Sequence, residues 1–180
     1  SKAMPTPWGD GIAFERPEVQ SFFREAALGW LTEYRLDGFR LDAVHQIRDG
    51  QEQRFLRDLA QEMREQGFDA EWNDDWHNAL HVALTGETQG YYSRFARDPF
   101  GDLALAMTRG QVDEGAPHPE EARGAPAGHL PWTAFVNANQ NHDQIGNRAH
   151  GERLISLIGE PAARVCHAAL LLMPFLPMLY

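Results

Sequence analysis

Two short stretches of this chain carry side chains suited to chemistry: Arg40 and Asp42 in DGFRLDAVH (37–45), and His142 and Asp143 in NANQNHDQIGN (137–147). On an extended strand, residues two apart share a face, so Arg40 and Asp42 would point the same way. A cation beside a carboxylate keeps it ionised, the state a nucleophile needs. His142 and Asp143 follow the apolar pair Phe135-Val136, again a carboxylate after a core-facing run. Taken singly, each has a plain structural reading: an ion pair at a strand end, or an Asx-type turn. Two such carboxylates on one rim, each beside a second polar group, are what hydrolysis of a glycosidic bond uses.

Several elements must position these residues. Apolar residues Val19, Phe22, Phe23, Ala26, Trp30, Leu31 and Tyr34 recur at helical spacing, with Pro17 near the first turn, which predicts an amphipathic helix over 18–35. In 37–43, Phe39 and Leu41 alternate with Arg40 and Asp42, the period of a strand. Phe55, Leu56, Leu59, Ala60 and Met63 form one stripe of a second helix over 51–66. Further helices are expected over 77–86, ended by Gly86, over 100–110, and in PAARVCHAALLLM opened by Pro161. WTAFVNANQ reads as a strand, PFLPMLY as the start of a buried one, and TPWGDGIAFERP as a turn-rich loop. The Pro-rich tract 113–131 is expected as a surface loop with no share in a core. Helix and strand alternating in this order suggest α/β units on a parallel sheet, within a single domain or a piece of one.

Composition narrows the partners. Of 180 residues, 43% are hydrophobic, enough for one sizeable core, and the formal charge of −10 comes with no basic run. Nucleic acid and anionic membrane surfaces are therefore poor partners. The longest apolar run, 165–180, is interrupted by Pro174 and Pro177 and is too short to span a bilayer. A single cysteine, Cys166, excludes an internal disulfide and a cysteine metal cluster, which fits a reducing cytoplasm. His77 and His81 lie four apart, as metal ligands on a helix might, but without a third ligand; substrate contact suits His77 and packing suits His81. In the run Trp72, Asp74, Asp75, Trp76, the group preferred for gripping hydroxyls is Asp75; Trp72 is assigned to the core, as are Tyr91 and Tyr92 to packing.

DGFRLDAVH and NHD resemble the fourth-strand and seventh-strand motifs of the alpha-amylase superfamily of glycoside hydrolases. The longer runs TPWGD, WNDDWHNALHVALTGETQGYY and QNHDQIGNRAHGERL resemble the branch of that superfamily acting on maltooligosaccharides that end in trehalose. The resemblance implies a (β/α)₈ barrel and retaining hydrolysis without a cofactor or metal. It makes Asp42 the nucleophile and Asp143 the carboxylate that holds the sugar hydroxyls, and gives Arg40, His45 and His142 to substrate binding.

The chain departs from that pattern in two places. The superfamily's general acid, a Glu ending strand five, should lie on an apolar strand after the 51–66 helix, yet EMREQ passes directly into GFDAEWNDD. Glu71 is nearest by position, but its register is that of an ordinary polar residue of the later strand. Strands one to three have no counterpart either. A closed barrel takes roughly 250 residues, so the expectation is a partial barrel lacking its first three strands and its fifth.

Overall fold

Helix α1, Pro17–Thr32, starts where the periodicity predicts, with Pro17 in its first turn. The computed structural model describes residues 5–6, 9–42, 44, 47, 54–65, 67, 70–113 and 126–180. These fall into two compact units, Ser1–Asp69 and Ala70–Tyr180.

In the first unit, the expected loop at the start instead contains a short antiparallel pair, β1 (Pro5–Thr6) with β2 (Gly9–Asp10). Helix α2, Arg54–Glu65, buries Phe55 and Leu59, which close on Phe14 with Val19, Phe23 and Met63 around them. Rings of Phe14, Phe23 and Phe55 tilt against one another at centroid distances of 5.0 and 5.2 Å. Of the strand expected over 37–43, the described residues 37–42 have no regular structure and Leu41 is exposed; Ala43 lies outside the described residues. A parallel strand needs a neighbour for its backbone groups. Among the described residues of this unit, the only strands are β1 and β2, which pair with each other.

The second unit is built on a three-stranded parallel sheet in the order β3 (Glu71–Trp72), β4 (Phe135–Asn137), β5 (Leu176–Pro177). Trp72 lies beside Val136, and Val136 beside Leu176. The mixture of helices with parallel strands makes the fold α/β. The last strand is exposed rather than buried as expected, because among the described residues only β4 flanks it; Pro177, which has no N–H to offer, suits an edge.

Helix α3, Asp74–Thr85, is the centre of this unit. Asn73 caps it by accepting the Trp76 N–H at 3.1 Å, and Asp74 and Asp75 lie in the first turn, where the helix dipole favours negative charge. Gly86, with φ 71°, ends it in the left-handed conformation that glycine adopts without strain. Its apolar face carries Trp76 and Leu80 into a core with Ala106 of α4 (Pro99–Arg109), Leu154 of α6 (Leu154–Ile158) and Cys166 of α7 (Glu160–Leu172). An adjoining stripe of the same helix buries Ala79 and Val82 against Phe95. A Cβ at Gly110, just past α4, would stand 2.5 Å from the Phe135 ring, so only glycine lets α4 end against the sheet.

The Pro-rich tract does share in a core. Ala127 is buried with Phe135 and Phe175, and Leu130 packs beside them. Residues 114–125 of that tract lie outside the described residues. No helix among the described residues is long and apolar enough to cross a membrane.

Candidate functional site

The stretch NANQNHDQIGN divides between structure and surface. Asn141 is the N-cap of α5, His142–Gly146, and its side-chain oxygen accepts the Asp143 N–H at 2.8 Å. Gln144 closes the capping box by accepting the Asn141 N–H at 2.8 Å, and Gln140 accepts the Leu154 N–H at 2.8 Å. These amides are committed to holding the chain. His142 and Asp143, half-exposed in the first turn, are left facing outward, with His142 Nε2 3.3 Å from Asp143 Oδ1.

Asp143 lines a cavity of about 380 Å³ whose walls come from five places in the second unit. Glu71 and Trp72 end β3; Asp74, Asp75 and His77 come from the first turn of α3; Tyr91 and Arg94 come from the 3₁₀ segment Gly90–Phe95; Gln111 and Asp113 come from the turn after α4; Asp143 and Asn147 come from α5 and its C-cap. Such a volume lies in the range of small-molecule sites. The cavity thus brings together Asp75, His77 and Asp143, three residues singled out in the sequence. His142 stands at its edge, its ring 5.9 Å from that of Trp72.

Each acidic group has a distinct environment. Asp75 Oδ2 accepts the backbone N–H groups of Val112 at 2.7 Å and Asp113 at 3.1 Å, while burial pushes its pKa up. It therefore anchors the 110–113 turn as well as facing the cavity. Asp113 in turn pairs with the buried Arg94. Burial lowers the pKa of His77 to about 3, with His81 nearby adding to the effect, so the ring is neutral; its 3.8 Å approach to Asp74 is a dipole contact rather than an ion pair. Glu71 is exposed and accepts from Gln111 Nε2 at 2.8 Å, so the burial that would suit it to acid catalysis is missing.

Several lining residues escaped the sequence reading. Trp72, assigned to the core, is only partly buried and walls the cavity; Tyr91, assigned to packing, is 43% exposed and does the same. Arg94 and Asp113, nineteen positions apart, meet through tertiary folding that no local spacing announces. For Trp72 a signal existed: an aromatic between acidic residues is suited to stacking on a sugar face.

The first unit holds Arg40 and Asp42. Arg40 Nη1 stands 2.5 Å from Asp42 Oδ1, the ion pair the spacing suggested, but Asp42 is 78% exposed. His45 lies outside the described residues. Among the described residues, no group of His, Cys, Asp and Glu is arranged to hold a metal ion.

Comparison with known proteins agrees with the motifs. No family model matches the chain. It is 34% identical over 209 residues to malto-oligosyltrehalose trehalohydrolase of Saccharolobus solfataricus, covering all of this chain and 37% of the relative. It is 36% identical over 198 residues to the protein of the same name from Deinococcus radiodurans, covering 96% of this chain and 33% of the relative. A crystal structure assigned as an alpha amylase of Salmonella typhimurium superposes with a TM-score of 0.86 at 42% identity, over 98% of this chain and 36% of that one. The chain belongs to the alpha-amylase superfamily. Within it, the chain resembles the malto-oligosyltrehalose trehalohydrolases, of whose length it spans about a third. The aligned stretch of 209 against 180 residues here leaves 29 positions of the Saccharolobus relative without a counterpart.

Proposed function

We propose that this chain carries part of the barrel of a retaining glycosidase that cleaves the α-1,4 bond next to the trehalose end of maltooligosyltrehalose, releasing trehalose. The observation that carries the reading is the cavity itself. It is lined by carboxylates whose oxygens accept from hydroxyls, by a neutral imidazole, and by the rings of Trp72 and Tyr91, on which a sugar face can stack. Among the described residues its one arginine, Arg94, already faces Asp113, so the lining favours a neutral polyol over an anion.

The proposed roles follow the motifs. The ionised Asp42 attacks the anomeric carbon, the glycosidic C–O bond breaks, and a general acid protonates the departing oxygen; water then cleaves the glycosyl-enzyme with that same group as base. Asp143 holds the hydroxyls of the ring as it flattens. Arg40 orients Asp42 through their ion pair, and His45, Asp75, His77 and His142 contact the sugars. In this proposal the three strands of the second unit are barrel strands six to eight, and the general acid belongs to the block of residues the relative has in excess, at the junction Gln66-Gly67.

That excess also supports a second reading, a carbohydrate-binding remnant without turnover. The decisive comparison is between this chain and the full-length protein with the excess segment, each incubated with trehalose-capped maltooligosaccharide. The full-length protein should release free trehalose, and its Asp143→Asn variant should lose about 10³-fold or more in kcat. Transfer products without trehalose would point to a transglycosidase and sink the proposal.

A further inference from the structure

Glu87 lies outside the cavity, yet through His81 and Arg148 it joins two segments that line it. The TGE sequence delivers it there. Gly86 turns the chain back over the end of α3, and the Thr85 hydroxyl donates to the His81 carbonyl at 2.7 Å while accepting the Glu87 N–H at 3.1 Å. One oxygen, Glu87 Oε2, then receives both His81 Nε2 at 2.8 Å and Arg148 Nη1 at 2.7 Å. These two partners hold the carboxyl well below its usual range, at about 2, so it is charged and only accepts; Nε2 of His81 must carry the proton.

From this atom the contacts run in two directions. The buried His81 ring stacks on Tyr92 at 4.4 Å and 13°, and Tyr92 packs edge-on at 4.5 Å against Tyr91, which lines the cavity. Arg148 directly follows Asn147, another lining residue, whose N–H donates to the Asp143 carbonyl at 3.2 Å; Arg148 Nε also meets Glu152 at 3.3 Å.

We infer that Glu87 is a positioning residue that fixes the spacing between the tyrosine wall and the Asp143 wall of the cavity. It acts through His81 and Arg148 and touches no sugar. The consequence for binding rests on the reading of the cavity as a saccharide site; the consequence for the walls does not.

The test therefore has two arms, run on this chain and on its Glu87→Ala, Glu87→Gln and Glu152→Gln variants. Hydrogen exchange of 88–98 and 142–152 should rise together by about tenfold in Glu87→Ala and less in Glu87→Gln, with the α4 and α7 amides unchanged. Glu152→Gln, which shares Arg148 but not His81, should leave 88–98 unaffected. Calorimetric titration with maltotriose should show about a tenfold loss of affinity in Glu87→Ala. Unchanged exchange at the two walls, a uniform rise over the whole unit, or an equal response in Glu152→Gln would overturn the inference. If the unaltered chain binds no maltotriose, the saccharide reading fails, and the exchange arm still decides the role of Glu87.

Discussion

Asp143 and Asp42 stand in two similar settings in the sequence, an aspartate with a polar partner after an apolar run, and they meet opposite structural fates. Asp143 follows a strand paired on both sides, sits in a helix closed by an Asn141–Gln144 capping box, and faces a cavity. Asp42 lies in irregular backbone, exposed, in an ion pair with Arg40. The difference lies in the neighbours. β3 and β5 flank β4, whereas no described strand of the first unit pairs with residues 37–42. A motif supplies chemical groups, and the surrounding strands supply their placement.

The contrast can be broken first at the packing that supports the cavity. Trp76 is 1% exposed and sits at the centre of the larger core, directly before His77. Trp76→Ala should cost about 3–5 kcal/mol in the unfolding of the second unit. A loss under about 1 kcal/mol in a denaturant titration would mean that this core does not hold the cavity together.

A smaller effect comes from His77. Its pKa in the fold, about 3, lies below the ordinary 6.5, so as pH falls from 6.5 towards 3 the unfolded chain takes up a proton that the fold refuses. Stability should fall with pH in that window by up to about 1.4 kcal/mol per unit. Asp75, whose pKa burial raises, pulls the other way at the acid end, so the upper part of the window is the place to read it. In His77→Gln the slope between pH 6.5 and 5 should flatten; the same slope in both proteins would show that His77 is not a buried neutral group.

The smallest effects compare the two aspartate settings directly. Asn141→Ala removes the cap of α5 and should cost about 1 kcal/mol. Asp42→Asn, at an exposed position, should change stability by no more than about 0.5 kcal/mol. Thermal melts giving the reverse order would contradict the contrast.

Much of the helical framework was legible. The stripes in 18–35, 51–66 and 100–110 and the Pro161 start appear within a few residues as α1, α2, α4 and α7, because apolar periodicity reports directly on a buried face. The α3 boundary moved from 77 to 74 because Asn73 caps it. Helix α5 has a local signature, N-x-x-Q at 141–144, whose Asn141 and Gln144 hold the backbone while His142 and Asp143 turn outward. The 37–43 strand shows the limit of alternation, since period two describes side-chain faces and does not provide a pairing partner. Asp75, His77 and Asp143 were legible as types and converge, whereas the Arg94–Asp113 pair and the Glu87 junction depend on contacts far apart in sequence.

The most direct measurement is the ¹H–¹⁵N spectrum of this chain titrated with maltooligosyltrehalose, following the tryptophan indole N–H signals. If the cavity of the second unit is the saccharide site, the Trp72 signal moves with ligand while that of Trp30 in α1 stays still, and Asp143→Asn weakens the response. A Trp72 signal that never moves, or a response confined to Trp30, would contradict the account.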